Sequence, residues 1–441
     1  MRDKTFNSKL LHLIIPITLQ YFMFALVPVA DTVMLVRLDP DAMSAVSLAG
    51  QVTFVMNLFV YAICAGASML AAQYWGNKDK ESVEKLYVFS LKLSIPIMLV
   101  FTLVTFLFPR TVMGLFTSTD STLGYGATYL RIVSLSYIFI GLAQVVEVYM
   151  KNTGLVTQAT VVSIIMVVSN IGLNGLFIYG FNMGTAGAAW GTTISCFLGF
   201  TIGVIVQLVS GKVHPRVRYF FSGAGEIRSK FIKYTGPVFA NQMGWGLGFT
   251  MISVIMGHLE PDAVAANSIV VVVKDLISCF CFALASGGSI IVGNELGAGN
   301  LEKGKEYGSK LCKLALWSGL ISGVLIFAAS PIILRVAGLN ETASNYLFWM
   351  LAMCIYYMVG RAMNSVVISG IFCAGGDTKF GFICDTITMW AFIVPVGAFA
   401  AFILKLPVLA VFFILNLDEM IKLPAVYIHY KKYKWVKNLT E

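Results

Sequence analysis

The sequence predicts an all-α polytopic membrane protein with twelve transmembrane helices in two pseudo-symmetric six-helix bundles. Three observations lead to this prediction: long apolar blocks, an uneven distribution of basic residues between loops, and an internal repeat that relates the two halves of the chain. Of the 441 residues, 58% are hydrophobic and only 12% are charged. A soluble globular protein is about one quarter charged, so the composition indicates a membrane protein.

The apolar residues form long blocks rather than stripes of period 2 or 3.6. A hydrocarbon core about 30 Å thick requires about 20 apolar residues per helix, so each block is typical of a transmembrane helix. The predicted spans are 10–36, 44–72, 87–109, 127–150, 155–180, 186–209, 231–256, 263–292, 311–334, 345–372, 380–403 and 406–428. The first span is too long for a signal peptide and lacks a small-residue cleavage site, so we expect it to be retained.

Lysine and arginine residues are concentrated on alternate loops. Of the 31 basic residues, 22 lie in the two tails, in the loops that join even to odd spans, or at the adjoining span ends. The other set of loops carries only Arg37, Arg110, Arg335 and Lys405. Because basic residues favour the cytoplasmic side of a membrane, both termini are predicted to be cytoplasmic.

The two halves of the chain are related by duplication. A shift of 221 aligns 16–93 with 237–314 without a gap, with 18 identities in 78 positions. The predicted domains are an N-terminal bundle at 1–209, a basic cytoplasmic linker at 210–230, and a C-terminal bundle at 231–441 that ends in a basic tail. Six spans per copy is an even number, so the repeats are parallel. This architecture suits alternating access to a central cleft, and it would also suit a channel.

Asp31 is a carboxylate inside the first apolar block. A charge at the bilayer centre costs about 2.5–3.5 kcal/mol on insertion scales, and such residues usually face a cavity or a partner. Pro28 has no N–H and is expected to kink the helix and act as a hinge. The shift that aligns the two halves places Asp31 on Ile252, so the second half lacks this acid. We interpret Asp31 as a group that binds and releases an ion; fixing the packing of a neighbouring helix is the alternative.

Two amides in the fifth span are candidate partners of this acid. Asn170 and Asn174 are four residues apart, so both point from one helix face. Paired amides can donate to a carboxylate or offer oxygens to a cation; hydrogen bonds that hold helices together are the alternative. Gln20, in the same span as Asp31, completes the predicted ion-coupling or substrate-binding residues.

The second half contains its own set of polar residues within the predicted spans. They are Lys274, Asp275, Arg361, Asn364, Asp385, Asp418, Glu419 and Lys422. Opposite charges are roughly balanced, and Glu419 and Lys422 are three residues apart, which permits a direct pair. An ion-pair scaffold and a second coupling or substrate site remain as two open interpretations.

The residues of metal and phosphate sites do not occur in recognisable patterns. The eight cysteines and four histidines show no zinc spacing. The glycine-rich run at 286–300 follows an apolar block rather than a strand and lacks the P-loop lysine. We therefore expect neither an enzyme nor a cofactor or bound metal, apart from a coupling ion.

The chain resembles the multidrug and toxic compound extrusion (MATE) family over essentially its whole length. The residues that carry the resemblance are Pro16, ADTVM at 30–34, AVSLAG at 45–50, QYWG at 73–76, SNIGLNGLFIYG at 169–180, GTAGAAWGT at 184–192, GNELGAGN at 293–300 and GGDTK at 375–379. The resemblance implies a V-shaped antiporter with one cavity per bundle, which exports organic cations or other amphipathic compounds in exchange for H⁺ or Na⁺. The family's first-helix acid falls on Asp31, and its polar pair in span 5 falls on Asn170 and Asn174.

The chain departs from the pattern of some members in the second half. These members carry an acid in span 7, which aligns with Trp245, and another in span 10, near Met363 or Asn364; neither acid is present here. Asp385 or Glu419 would have to replace them, so the resemblance favours coupling in the first half.

Two other functions are open at this stage. A flippase for a lipid-linked precursor belongs to the same wider superfamily, but it would favour a strongly cationic cavity, and Arg131 is the only arginine within a first-half span. A channel or membrane enzyme is the alternative from a different class. We expect a monomer in the cell membrane, which contacts the lipid bilayer and small amphipathic or cationic substrates but no nucleic acid.

Overall fold

The computed structural model describes residues 4–36, 39–216, 218–221 and 225–441, and within these ranges the regular structure is helical. The helices before the linker are α1 Lys4–Val36, α2 Pro40–Gly76, α3 Lys80–Leu107, α4 Pro109–Met113, α5 Asp120–Asn152, α6 Val156–Gly175 and α7 Gly184–Ser210. They are followed by α8 Arg218–Phe221, α9 Gly225–Gly257, α10 Pro261–Gly297, α11 Leu301–Ala337, α12 Glu341–Asn364, α13 Thr378–Ile387, α14 Val394–Ala398, α15 Val408–Leu415 and α16 Asp418–Lys431. Short π-helical segments extend several of them, at Leu176–Gly180, Ser365–Phe372, Thr388–Ile393 and Phe399–Ile403.

Helix starts follow local capping chemistry. The Asp39 carboxylate accepts a hydrogen bond of 2.8 Å from the Asp41 amide, and Pro40 occupies the first turn of α2. The Asn340 side chain accepts a bond of 2.8 Å from the Ala343 amide at the start of α12. Such caps satisfy amide groups that the first turn of a helix leaves without a partner.

In the part of the chain that the structure describes, eleven helical segments are long and apolar enough to cross a membrane, and they match predicted spans 1 to 11. The twelfth predicted span, 406–428, differs because it is divided into α15 and α16 by a break at Asn416 and Leu417. The Asn416 side chain donates 2.8 Å to the Phe412 carbonyl, and such local bonds compete with a continuous helix. The fold prediction is confirmed, and its last segment is a discontinuous helix.

The sequence repeat is also a structural repeat. The shift that aligns 16–93 with 237–314 places α2, Pro40–Gly76, on α10, Pro261–Gly297, at both ends. The same shift places the last residue of α1 on the last residue of α9, and the starts of α3 and α5 on those of α11 and α12. The duplication therefore extends beyond the residues that are identical.

The chain forms two compact units. The first unit is Leu19–Ile232, and the second unit is Lys233–Glu441 together with the N-terminal segment up to Thr18. The core of the first unit contains Leu35, Met56 and Tyr137, and that of the second contains Leu347, Met358 and Phe412.

These boundaries differ from the predicted domains at the linker, which belongs to the first unit. Linker residue Arg216 forms an ion pair of 2.8 Å with Glu84, whose side chain is 1% exposed. Lys212 donates 2.9 Å to the Thr153 carbonyl, and Val213 is buried. Linker residues 217 and 222–224, and the loop residue Arg37, lie outside the described residues.

The N-terminal turns of α1 belong to the second unit for a similar reason. The Phe6 ring lies 4.6 Å from that of Tyr307 on α11. Leu13 and Ile14 of α1 lie against Gly287 of α10.

The C-terminal tail packs onto the second unit. Trp435 is completely buried and stacks on Tyr430 with ring centroids 5.7 Å apart. Gly308 faces its ring and Gly375 faces its backbone, and a methyl group at either glycine would overlap Trp435. The tail is thus part of the core of this unit.

Candidate functional site

Asp31 lies on the C-terminal third of α1, in the first unit. The helix continues through Pro28, and the Thr32 hydroxyl donates 2.8 Å to the Pro28 carbonyl. The Asp31 side chain is partly buried. Within the described ranges, none of the ion pairs involves this carboxylate. A carboxylate inside an apolar helix usually faces a cavity or a partner.

Asn174 is the direct partner of this acid. Its Nδ2 donates a hydrogen bond of 2.7 Å to Asp31 Oδ1, so α6 and α1 are joined at this point. Asn174 Nδ2 also lies 3.4 Å from Asn170 Oδ1, and Asn170 Nδ2 donates 3.1 Å to Thr192 Oγ1 on α7. The structure therefore brings together the acid and both amides of span 5, and adds Thr192.

The Asn174 carboxamide has one unused group. Its Oδ1 is buried and makes no hydrogen bond to any described residue. A buried acceptor without a partner costs roughly 1–3 kcal/mol.

Gly191 on α7 makes room for this arrangement. A Cβ atom at Gly191 would overlap Asn174 Oδ1 and lie 2.9 Å from the backbone nitrogen of Asn174. The absence of a side chain lets α7 approach α6 closely enough to hold Asn174 against α1. Tyr179, in the π-helical turn after α6, donates 2.7 Å to the Met34 carbonyl and holds the end of α1.

Gln20 is placed in a different cluster from Asp31, although we grouped them from the sequence. Its Nε2 donates 2.8 Å to Glu147 Oε2 and 2.7 Å to Ser163 Oγ, and the Ser163 hydroxyl donates 2.6 Å to Glu147 Oε1. Lys151 Nζ lies 3.4 Å from Gln20 Oε1. Gln20, Glu147 and Ser163 are buried. This group of four residues, the Glu147 cluster, joins the middle of α1 to α5 and α6.

Glu147 was missed by the sequence reasoning. It is an acid near the end of the predicted span 127–150, and Lys151 follows it by one helical turn. Such an i, i+4 pair in an apolar block was the available signal.

The polar residues of the second unit form a connected ion-pair network. Lys422 Nζ lies 3.0 Å from Asp385 Oδ1 and 3.2 Å from Glu419 Oε2. Arg361 Nη1 lies 2.9 Å from Glu419 Oε1, and Asn364 Nδ2 donates 2.8 Å to Glu419 Oε2. Asn241 on α9 donates 2.9 Å to Asp385 Oδ2.

Two more predicted residues lie beside this network rather than within it. Lys274 Nζ donates 2.8 Å to Asn416 Oδ1 at the break between α15 and α16, and it lies 4.0 Å from the centre of the Tyr357 ring. Asp275 is exposed on α10. The predicted pair of Glu419 and Lys422 is present, but each residue also has a second charged partner.

Comparison with known proteins decides the family. The MatE family model matches the chain twice, at 16–176 and 237–399. The chain belongs to this family. Its members are multidrug and toxic compound extrusion (MATE) transporters, so the chain is a transporter and not an enzyme. The two matches begin at Pro16 and Pro237, the same pair of prolines that the repeat aligns.

Two relatives from Bacillus subtilis match nearly the whole chain. The uncharacterized transporter YisQ of Bacillus subtilis is 23% identical, over 99% of this chain and 96% of its own. The probable multidrug resistance protein YoeA of the same species is also 23% identical, over 91% of this chain and 88% of its own.

Solved MATE structures share the fold. A MATE transporter in the bent conformation has a TM-score of 0.88 at 17% identity, and covers 97% of this chain and 95% of its own. The Vibrio cholerae MATE transporter VcmN in the bent form has a TM-score of 0.86 at 15% identity, and covers 99% of this chain and 98% of its own.

Proposed function

We propose that this MATE transporter is an antiporter that exports organic cations or other amphipathic compounds by alternating access, driven by the entry of H⁺ or Na⁺ at Asp31. The observation that carries the proposal is the contact between Asp31 and Asn174. Here a carboxylate with no basic partner among the described residues meets an amide whose oxygen is unused. The names of relatives such as YoeA, a probable multidrug resistance protein, support the substrate class.

The Asp31–Asn174 contact can respond to the charge of the acid. An ionised carboxylate only accepts hydrogen bonds, which suits the Asn174 Nδ2 donor. A protonated Asp31 carries an O–H that needs an acceptor, and Asn174 Oδ1 is a buried acceptor without a partner among the described residues. A bound Na⁺ would use the same oxygens as ligands, together with Asn170 Oδ1. Either ion therefore replaces the present bond with a different set of contacts.

The change in contacts would act on the part of α1 that follows Pro28. This helix is held to the first unit on both sides of Pro28: by the Glu147 cluster through Gln20 before it, and by Asn174 and Tyr179 after it. The proline removes one backbone hydrogen bond between these attachments, so the helix can bend there. Ion binding at Asp31 alters the second attachment and leaves the first in place.

The predicted orientation gives this arrangement a direction. With both termini in the cytoplasm, the Glu147 cluster lies on the cytoplasmic side of Pro28 and Asp31 lies on the outer side. An ion that enters from outside would then reach Asp31 without passing the Glu147 cluster.

The test is substrate transport by the purified protein in proteoliposomes that contain a fluorescent organic cation. H⁺ and Na⁺ gradients are imposed separately, and uphill transport is expected with one of them. Asp31→Asn is expected to abolish it, because the amide cannot bind the ion. Asp120→Asn, the same chemical change at an exposed position in the first turn of α5, is the matched control and should transport normally. Undiminished uphill transport by Asp31→Asn would refute the coupling role.

A further inference from the structure

We infer that Lys422 is a built-in cation of the second unit, whose ammonium group fills a monovalent-cation site formed by the carboxylates of Asp385 and Glu419. The chain therefore supplies here, from its own residues, the positive charge that an exchangeable ion would otherwise provide. This inference goes beyond the proposed function, because it concerns the other unit and holds whether or not Asp31 is the coupling acid.

The geometry of Lys422 is that of an enclosed ion rather than of a surface pair. Its Nζ contacts a carboxylate oxygen on α13 at 3.0 Å and another on α16 at 3.2 Å. The Lys422 side chain is 7% exposed, and those of Asp385 and Glu419 are 15% and 2% exposed. Two carboxylates that are this close repel each other strongly in a buried setting, so a positive charge between them is required.

Both carboxylates are also bound to donors other than Lys422, and Asn364 donates to the same Glu419 oxygen, Oε2, that Lys422 contacts. Asn241 donates to the other oxygen of Asp385, and Arg361 and Asn364 donate to Glu419. These contacts hold both acids in place from α9 and α12, independently of Lys422. The two oxygens that face the ammonium are therefore positioned by their surroundings.

Asn364 provides an independent sign of a cation site. Its side chain is 4% exposed, and its Oδ1 is buried without a hydrogen-bond partner among the described residues. The Nδ2 of the same amide is bound to Glu419, so the unused oxygen belongs to the cluster. Carboxylate and amide oxygens are the ligands that hard cations prefer.

Among the buried or partly buried residues of the surrounding elements, the acidic and basic groups are equal in number when Lys422 is included. The basic groups are Lys274, Arg361 and Lys422, and the buried or partly buried acids are Asp385, Asp418 and Glu419. Asp275 on α10 is exposed. Removal of Lys422 would leave three acids against two basic groups, with the deficit located between Asp385 and Glu419.

The break in the last span supports the same inference. It places the first turn of α16, with Asp418 and Glu419, inside the predicted span 406–428. Discontinuous transmembrane helices are where transporters build ion and substrate sites. In this chain, the ammonium group of Lys422, one turn after Glu419 on α16, occupies the position of such an ion.

The experiment compares thermal unfolding of the purified protein in sodium, potassium and choline chloride at equal ionic strength. All variants carry Asp31→Asn, so that ion binding in the first unit does not contribute. The parent is expected to have the same Tm in the three salts. Lys422→Met should have a lower Tm in choline and should regain about 3–5 °C, saturably, with Na⁺ or K⁺. Adding Asp385→Asn to Lys422→Met should remove this dependence on the cation.

Three results would overturn the inference. One is a Lys422→Met protein that folds but shows no preference for Na⁺ or K⁺ over choline. Another is a parent protein that is already stabilised by Na⁺ or K⁺ through Asp385, because the site would then be open to exchange. The third is a Lys422→Met protein that folds in none of the salts while Asp385→Asn/Lys422→Met folds, because a free cation would then be unable to replace the ammonium.

Discussion

Asn174 on α6 donates a hydrogen bond of 2.7 Å to Asp31 on α1, and the oxygen of the same amide has no partner among the described residues. This contact joins the two helices through a group that is sensitive to charge. In the second unit, by contrast, the acids Asp385 and Glu419 are bound by basic residues. The two halves share a fold and differ in how their carboxylates are compensated.

Asn174→Ala should impair coupling while the protein still folds. The change removes the donor to Asp31, and hydrogen bonds to charged groups contribute about 1.5–3 kcal/mol, so we expect uphill transport to fall roughly 10- to 100-fold. The measurement is the initial rate of dye transport in proteoliposomes under the driving ion gradient. Asn267→Ala, on α10 of the second unit, is the matched control. Equal rates for the two variants would show that the amide has no part in coupling.

Gly191→Ala should act through Asn174. The added methyl group would overlap Asn174 Oδ1, so either α7 or the amide must move. We expect a loss of stability of about 1–3 kcal/mol and a loss of transport similar to that of Asn174→Ala. Gly172→Ala on α6 is the control, because a methyl group there meets nothing within 4 Å. A Gly191→Ala protein with normal transport would contradict the close approach of α7 and α6.

Glu147→Leu should destabilise the first unit. The change leaves Gln20 Nε2 and the Ser163 hydroxyl without their acidic acceptor and leaves Lys151 without the nearby charge of this acid. Each buried donor that loses its acceptor costs about 1–3 kcal/mol. Thermal or denaturant unfolding measures the effect, and Glu147→Gln, which keeps one acceptor, should cost less. If Glu147→Leu and Glu147→Gln lower the stability equally, the Glu147 cluster does not hold α1 in place.

Arg216→Ala should release the linker from the first unit. Glu84 is almost fully buried and accepts from Arg216 and from the His214 amide, at 2.8 and 3.3 Å. Without the guanidinium, the buried Glu84 carboxylate loses its basic partner and the linker loses a contact with the first unit. Limited proteolysis should therefore cut the 210–230 segment faster. Arg228→Ala, an exposed position in the following helix, should leave the cleavage rate unchanged. Identical digestion patterns for both variants would show that the Arg216–Glu84 ion pair does not hold the linker to the first unit.

Much of this architecture could be predicted from the sequence because apolar blocks and loop charges report directly on membrane insertion. Asp31, Asn170 and Asn174 could also be identified, since a charge in an apolar block is costly and amides four residues apart share a helix face. The role of Gly191 could not, because it depends on the close approach of two helices. The break at Asn416 was not predicted, because Asp418, Glu419 and Lys422 were interpreted as polar residues within one continuous span.

The grouping of polar residues was harder to predict than their presence. Gln20 and Asp31 lie on one helix, but their partners are on different parts of α5 and α6, so sequence proximity was a poor guide. The bond between Asn241 and Asp385 joins residues 144 positions apart. Such pairs depend on tertiary contacts that local patterns do not encode.

The buried Trp435 has a practical consequence for handling this protein. Ending the polypeptide at Lys431, where the last helix stops, would delete a large aromatic side chain and uncover the glycine-lined surfaces at Gly308 and Gly375. An affinity tag fused directly after Tyr430 would have the same effect. A purification handle should therefore be placed after Glu441 through a flexible spacer, so that Trp435 can keep its contacts with the second unit.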